Sequence, residues 1–113
     1  MQRLRRRADF LKAAAGAKAP GAPFVLQAVK RGEDGAEARI GFTVSKKVGN
    51  AVERNRVRRR LREIVKRSEA LLRPGYDYVV VGRRRALEAP FDAMVAAFGQ
   101  AVTRIHAERR PSH

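Results

Sequence analysis

The stretch NAVERNRVRRRLRE, Asn50 to Glu63, packs six arginines into the nine residues from Arg54 to Arg62. Three readings compete: a solvated charge run, a disordered basic tail, or one face of an element built to grip something anionic. Asn50 followed three residues later by Glu53 resembles a capping box, in which the Asn side chain accepts from an early backbone N–H and the Glu reaches back. The Gly49-Asn50 pair also suits a hairpin turn. An apolar stripe decides for a helix: Val57, Leu61, Ile64, Val65, Ser68, Leu71 and Leu72 recur at helical spacing until Pro74 and Gly75 stop the pattern. A disordered tail has no reason to carry that stripe.

At about 100° per residue the stripe covers roughly a third of the helix circumference. The opposite side collects Asn55, Arg58, Arg59, Arg62 and Lys66, with Arg56, Arg60 and Arg67 on a second flank. Arg54 lies near the edge of the stripe, where it is expected to be partly packed. Like charges at i and i+4, such as Arg54 with Arg58, each disfavour an isolated helix by roughly 0.2–0.5 kcal/mol, so packing of the stripe must hold this one. From Lys46 to Arg67 there are ten basic and two acidic residues, more than half of the net charge of +15 in less than a fifth of the chain. A solvated face usually intersperses its signs; this one reads as a phosphate-binding face.

Before this helix, ARIGFTVSKK alternates Ile40, Phe42 and Val44 with Gly41, Thr43 and Ser45, the pattern of a half-buried strand. FVLQAV, Phe24 to Val29, reads as a second strand, GEDG (Gly32 to Gly35) as the turn between them, so that the two are expected to pair as an antiparallel hairpin, and AKAPGAP, Ala17 to Pro23, as a connection. A short helix is expected over Arg3 to Ala15. After the basic helix, the run Tyr76 to Val81 reads as a central strand covered on both faces. A last helix spans about Pro90 to His106, with Phe91, Met94, Val95, Phe98, Val102 and Ile105 on one face. The expected fold is a small two-layer α/β sandwich, a mixed sheet of about four strands packed against helices. It forms a single domain over residues 1–113, with flexible ends at about 1–6 and 107–113.

Of the 26 basic residues 20 are arginine, which favours forked contacts to phosphate. Patches at Arg3 to Arg7, Lys46-Lys47 and Arg83 to Arg85 extend the basic surface, pointing to an extended anionic partner such as a folded RNA. No apolar run approaches the roughly 20 residues of a spanning helix. The basic N-terminus is interrupted by Asp9 and Lys12, so it reads as mature sequence, and the absence of Cys fits a reducing, cytoplasmic setting. Catalytic apparatus is not visible. Asp77, Glu88 and Asp92 have no ligand-like spacing, Asp9 stands alone among arginines, and His106 and His113 read as surface groups. No catalytic residue and no metal-ligating residue is assigned.

The segment GFTVSKKVGNAVERNRVRRRLRE, Gly41 to Glu63, resembles the signature of the bacterial ribonuclease P protein family, SKK-x-GNAV-x-RN followed by further basic residues, in order and spacing. RLRRRADF, FVLQ and GYDYVVVGR extend the resemblance over nearly the whole chain. It implies a protein cofactor of a catalytic RNA subunit that holds Mg²⁺ and removes the 5′ leader of precursor tRNA, with no DNA and no membrane as partners. It also implies a left-handed βαβ crossover. By position, Lys46, Lys47, Arg54, Asn55, Arg56, Arg58, Arg59 and Arg62 are the expected contacts to the RNA subunit. Phe10 and Gln27 are the expected leader contacts. Related sequences often carry aromatics where this one has Ala14 and Gln27, so the stacking platform reads as depleted, and Phe10 is either a stacking group or part of the core. The alternative is a non-catalytic ribosomal or other structural RNA-binding protein.

Overall fold

A computed structural model describes residues 1–31 and 36–108. The chain runs β1 (Gln2–Arg3), α1 (Arg7–Ala14), β2 (Ala17–Pro20), β3 (Phe24–Lys30), β4 (Arg39–Thr43), a 3-10 turn Lys46–Val48 and α2 (Ala51–Arg67). It continues through 3-10 turn Glu69–Leu71, β5 (Tyr76–Gly82), 3-10 turn Arg84–Leu87 and α3 (Phe91–Glu108). The strands form one mixed sheet in the order β1-β4-β5-β3-β2, so β3 and β4 do not pair as the expected hairpin: β5 lies between them and bonds to both. β4 and β5 are parallel neighbours joined through α2, which makes the βαβ crossover the frame of the basic helix.

Strand alternation divides the sheet into two faces. Leu26, Ile40, Tyr78 and Val80 are fully buried on one face. With them are packed Val57, Leu61, Ile64 and Val65 of α2 and Met94, Phe98, Val102 and Ile105 of α3. Burying one such side chain contributes about 1.5–3 kcal/mol, so four from α2 far outweigh the like-charge pairs on its outer face. On the other face α1 lays Ala13 and Phe10 over Leu4, Val29 and Val79. Here Gly41 lets the ring come close: a Cβ on it would lie 2.6 Å from Phe10 Cζ, so the ring would have to shift.

Five strands form rather than about four, because part of AKAPGAP pairs antiparallel with β3 as β2. Its proline lies on the sheet edge, where a missing N–H removes no ladder bond. The N-terminus also departs from expectation. Gln2 and Arg3 pair with Arg39 and Ile40, Leu4 is buried, and α1 begins only at Arg7. α2 ends at Arg67, with Ser68 as its C-cap, so Leu71 and Leu72 belong to the following turn and connection. The GEDG turn and residues 109–113, including His113, lie outside the described residues.

Two polar clusters are inside the fold. Asp77, 2 % exposed, accepts from Arg31 Nη1 at 2.7 Å and from Arg39 Nε and Nη2 at 2.8 and 2.6 Å. Burial alone would push its carboxyl up, but the bonds and charges of Arg39 and Arg31 prevail and hold it below the ordinary carboxylate range. Asp9 joins Arg39 at 3.5 Å, so it does not stand alone. His106 is buried rather than superficial, with Nε2 2.7 Å from the Tyr78 hydroxyl. That hydroxyl also accepts the Arg73 backbone N–H, and burial pushes it up to about 12.

Candidate nucleic-acid interface

The start of α2 is built by mutual capping. Asn50 Oδ1 accepts the Glu53 N–H at 2.8 Å, and Glu53 Oε1 accepts the Asn50 N–H at 3.0 Å. The bond from Asn50, followed by that from Arg84, holds the Glu53 carboxyl below its ordinary range. Gly49 leaves the space for this: a Cβ there would collide with Glu53 Oε1. Arg84 donates to the Val48 carbonyl at 2.5 Å and to Glu53 Oε2 at 3.2 Å, while Arg54 donates to the Gly49 carbonyl at 3.2 Å. The turn bearing exposed Lys46 and Lys47 is thereby fastened to the helix N-terminus. Arg54 is half-buried, as its place at the edge of the stripe implies.

Beyond this point the arginines divide. Asn55, Arg56, Arg59 and Arg62 are exposed, and Arg58 is half-buried. Asn55, Arg58, Arg59 and Arg62 surround a depression of 370 Å³ together with Val52. Arg58 Nη1 donates to Asn55 Oδ1 at 3.3 Å. Arg60, by contrast, donates to the Ala86 and Ala89 carbonyls at 2.6 and 2.7 Å. These carbonyls close the turn before α3, and the guanidinium satisfies acceptors that a short helical turn leaves open. Arg67 lies 4.8 Å over the Phe91 ring and 3.6 Å from Glu63. On the second flank Arg60 is therefore structural, while Arg67 stays exposed beside the Phe91 ring and Glu63.

A second hollow, of 520 Å³, opens between α1, the end of β4 and α2, lined among others by Arg5, Arg7, Phe10, Phe42, Ser45 and Arg58. Phe10 is half-buried: its ring packs on Gly41 and also borders this cleft. Phe42, concealed in the strand alternation, supplies a second aromatic side chain, with the Arg3 guanidinium 5.9 Å from its ring. Gln27 is half-buried on β3, paired with Val79 and Lys18, and does not line this cleft. Arg58 borders both hollows, making the arginine face and the cleft one continuous surface.

Among the described residues no three His, Cys, Asp or Glu side chains come together to hold a metal ion, and no helix is long and apolar enough to cross a membrane. The surface offers guanidinium, ammonium and amide donors beside two aromatic rings, the chemistry that phosphates and unstacked bases require.

Comparison with known proteins agrees with that chemistry. A family model described as Ribonuclease P matches residues 1–106. The ribonuclease P protein component of Ruegeria pomeroyi is 45% identical over 94% of this chain and 87% of its own length. That of Gluconacetobacter diazotrophicus is 54% identical over 82% of this chain and 81% of its own. Among solved structures, the Thermotoga maritima RNase P protein superposes with a TM-score of 0.77 at 30% identity, covering 93% of this chain and 98% of the other. The Staphylococcus aureus protein gives 0.76 at 26%, covering 92% and 94%. With a family match spanning nearly its whole length and the same fold in those relatives, the chain belongs to the bacterial ribonuclease P protein family, the protein components of the ribonucleoprotein that matures tRNA 5′ ends.

Proposed function

We propose that this protein component binds its catalytic RNA through Lys46, Lys47, Asn55, Arg56, Arg58, Arg59 and Arg62, and receives the precursor-tRNA leader in the cleft bordered by Phe10 and Phe42. The observation that carries this reading is the set of exposed arginines on α2. Among the described residues Arg56, Arg59 and Arg62 are exposed and meet no carboxylate, and Arg58 connects them to the cleft. Arg54 takes a supporting role, since it fastens Gly49. Gln27 lies on the α1 side of the sheet and would meet only a leader that runs further across it than the cleft.

The mechanism is electrostatic and geometric. Guanidinium groups neutralise phosphates that otherwise repel one another where two RNAs crowd together. The cleft orients the leader: a base stacked on Phe10 or Phe42 gains about 1–3 kcal/mol, and Arg5 and Arg7 lie at its rim for the backbone. Among the described residues no cluster of carboxylates fits a Mg²⁺ ion; the ion is assigned to the RNA subunit on the family resemblance. The work is placed in the cytoplasm, where precursor tRNA is made in bacteria.

Reconstitution with the RNA subunit of the same organism tests the reading. At low Mg²⁺ the full chain should strongly stimulate precursor-tRNA cleavage, less so at high Mg²⁺. Cleavage by the protein alone in RNA-free conditions, or no stimulation at low Mg²⁺, would refute it.

A further inference from the structure

Val52 is out of place on a phosphate-binding face. It is 76% exposed, the most exposed large apolar side chain described, and sits in the first turn of α2. That turn favours acidic groups, and a β-branched residue brings no helix propensity. Folding does not explain it, because it packs in neither core cluster. It lies instead in the 370 Å³ depression with Asn55, Arg58, Arg59 and Arg62. Asn55 is the second anomaly, a neutral amide among cations. Arg58 donates to its Oδ1, which leaves the Nδ2 hydrogens as the groups it can offer outward.

A surface meeting phosphates alone needs neither an apolar patch nor an oriented amide. We propose that this depression seats one unpaired nucleotide of the RNA subunit, with its base or ribose face against Val52, a base acceptor such as a carbonyl oxygen or ring nitrogen on Asn55 Nδ2, and its flanking phosphates on Arg59 and Arg62. The depression of 370 Å³ has room for one nucleotide. The inference rests on the proposed role of the arginine face and adds a contact that reads the base rather than the charge.

The two kinds of contact separate in salt. Binding of the full chain to the RNA subunit is measured over a range of salt concentrations for the parent and for Val52→Ala, Asn55→Ala and Arg59→Ala; all three positions are exposed on a helix and tolerate alanine. Val52→Ala and Asn55→Ala should each weaken binding roughly fivefold at every salt concentration, with the slope of log affinity against log salt unchanged. Arg59→Ala should lower that slope by about one. Base-specific chemical probing should then find one nucleotide that the parent protects and Asn55→Ala leaves reactive. If Val52→Ala and Asn55→Ala bind like the parent while Arg59→Ala loses slope, the face meets phosphates only and the nucleotide seat is wrong. If Arg59→Ala also keeps its slope, the arginine-face reading fails, and the seat with it.

Discussion

On the outer face of α2, Arg59 and Arg62 stand exposed around a shallow depression. On the flank of the same helix, Arg60 places both terminal nitrogens on the Ala86 and Ala89 carbonyls, and across the loop Arg84 does the same for Val48 and Glu53. The side chains are chemically identical. What separates them is whether the fold has already supplied acceptors. A charge-assisted hydrogen bond to a part-buried carbonyl contributes about 1.5–3 kcal/mol, whereas an exposed arginine contributes close to nothing to folding. Arg60 and Arg84 therefore build the scaffold, and exposed Arg56, Arg59 and Arg62 remain available to an external phosphate.

Removing the face as a unit should give the largest effect. The triple variant Arg58→Ala, Arg59→Ala and Arg62→Ala is expected to bind the RNA subunit with a salt slope lower by about three and an affinity lower by roughly a hundredfold or more. Its thermal unfolding should stay close to that of the parent. A variant that unfolded instead would show that the face is scaffold too.

Asp77 tests the scaffold side. Asp77→Ala leaves Arg31 and Arg39 beside a lost carboxylate and should cost about 3 kcal/mol of stability in denaturant unfolding. Because its folded pKa is depressed, the stability it contributes is present above the ordinary carboxylate pKa of about 4 and disappears as pH falls through the folded value. The parent should lose stability more steeply than Asp77→Ala as pH drops below about 4. Equal acid sensitivity would show that the carboxylate contributes little.

A smaller effect is expected where the two regions meet. Asn50→Ala removes one half of the capping box and should lower stability by about 1 kcal/mol. RNA affinity should fall modestly with the salt slope unchanged, since Asn50 positions Lys46 and Lys47 without bearing charge. A reduced slope would mean that the lysine turn comes loose.

Much of this is legible in the sequence wherever an element carries its own periodicity. The stripe of Val57, Leu61, Ile64 and Val65, the capping pair Asn50 and Glu53, and the strands at Phe24, Ile40 and Tyr76 all form where their patterns place them. The short edge strands are not legible. Ala17–Pro20 and Gln2–Arg3 are strands only because β3 and β4 offer free edges, and nothing local in AKAP or QR announces that. The same limit applies at the interface. Periodicity places Arg60 on a flank of α2, but the carbonyls that engage it come from residues 26 and 29 positions away. Phe42 is hidden by regular alternation, and His106 by its position near the end of the last helix.

Arg59 and Arg60, adjacent in sequence, give the most direct test. Salt-dependent binding to the RNA subunit and thermal unfolding are measured for Arg59→Ala and Arg60→Ala in parallel. A crossed result is expected: Arg59→Ala lowers the salt slope by about one and leaves unfolding unchanged, while Arg60→Ala lowers the unfolding midpoint by several degrees and leaves the slope unchanged. If both variants lost the same slope, or if Arg60→Ala unfolded like the parent, the division between scaffold and ligand-binding arginines would be contradicted.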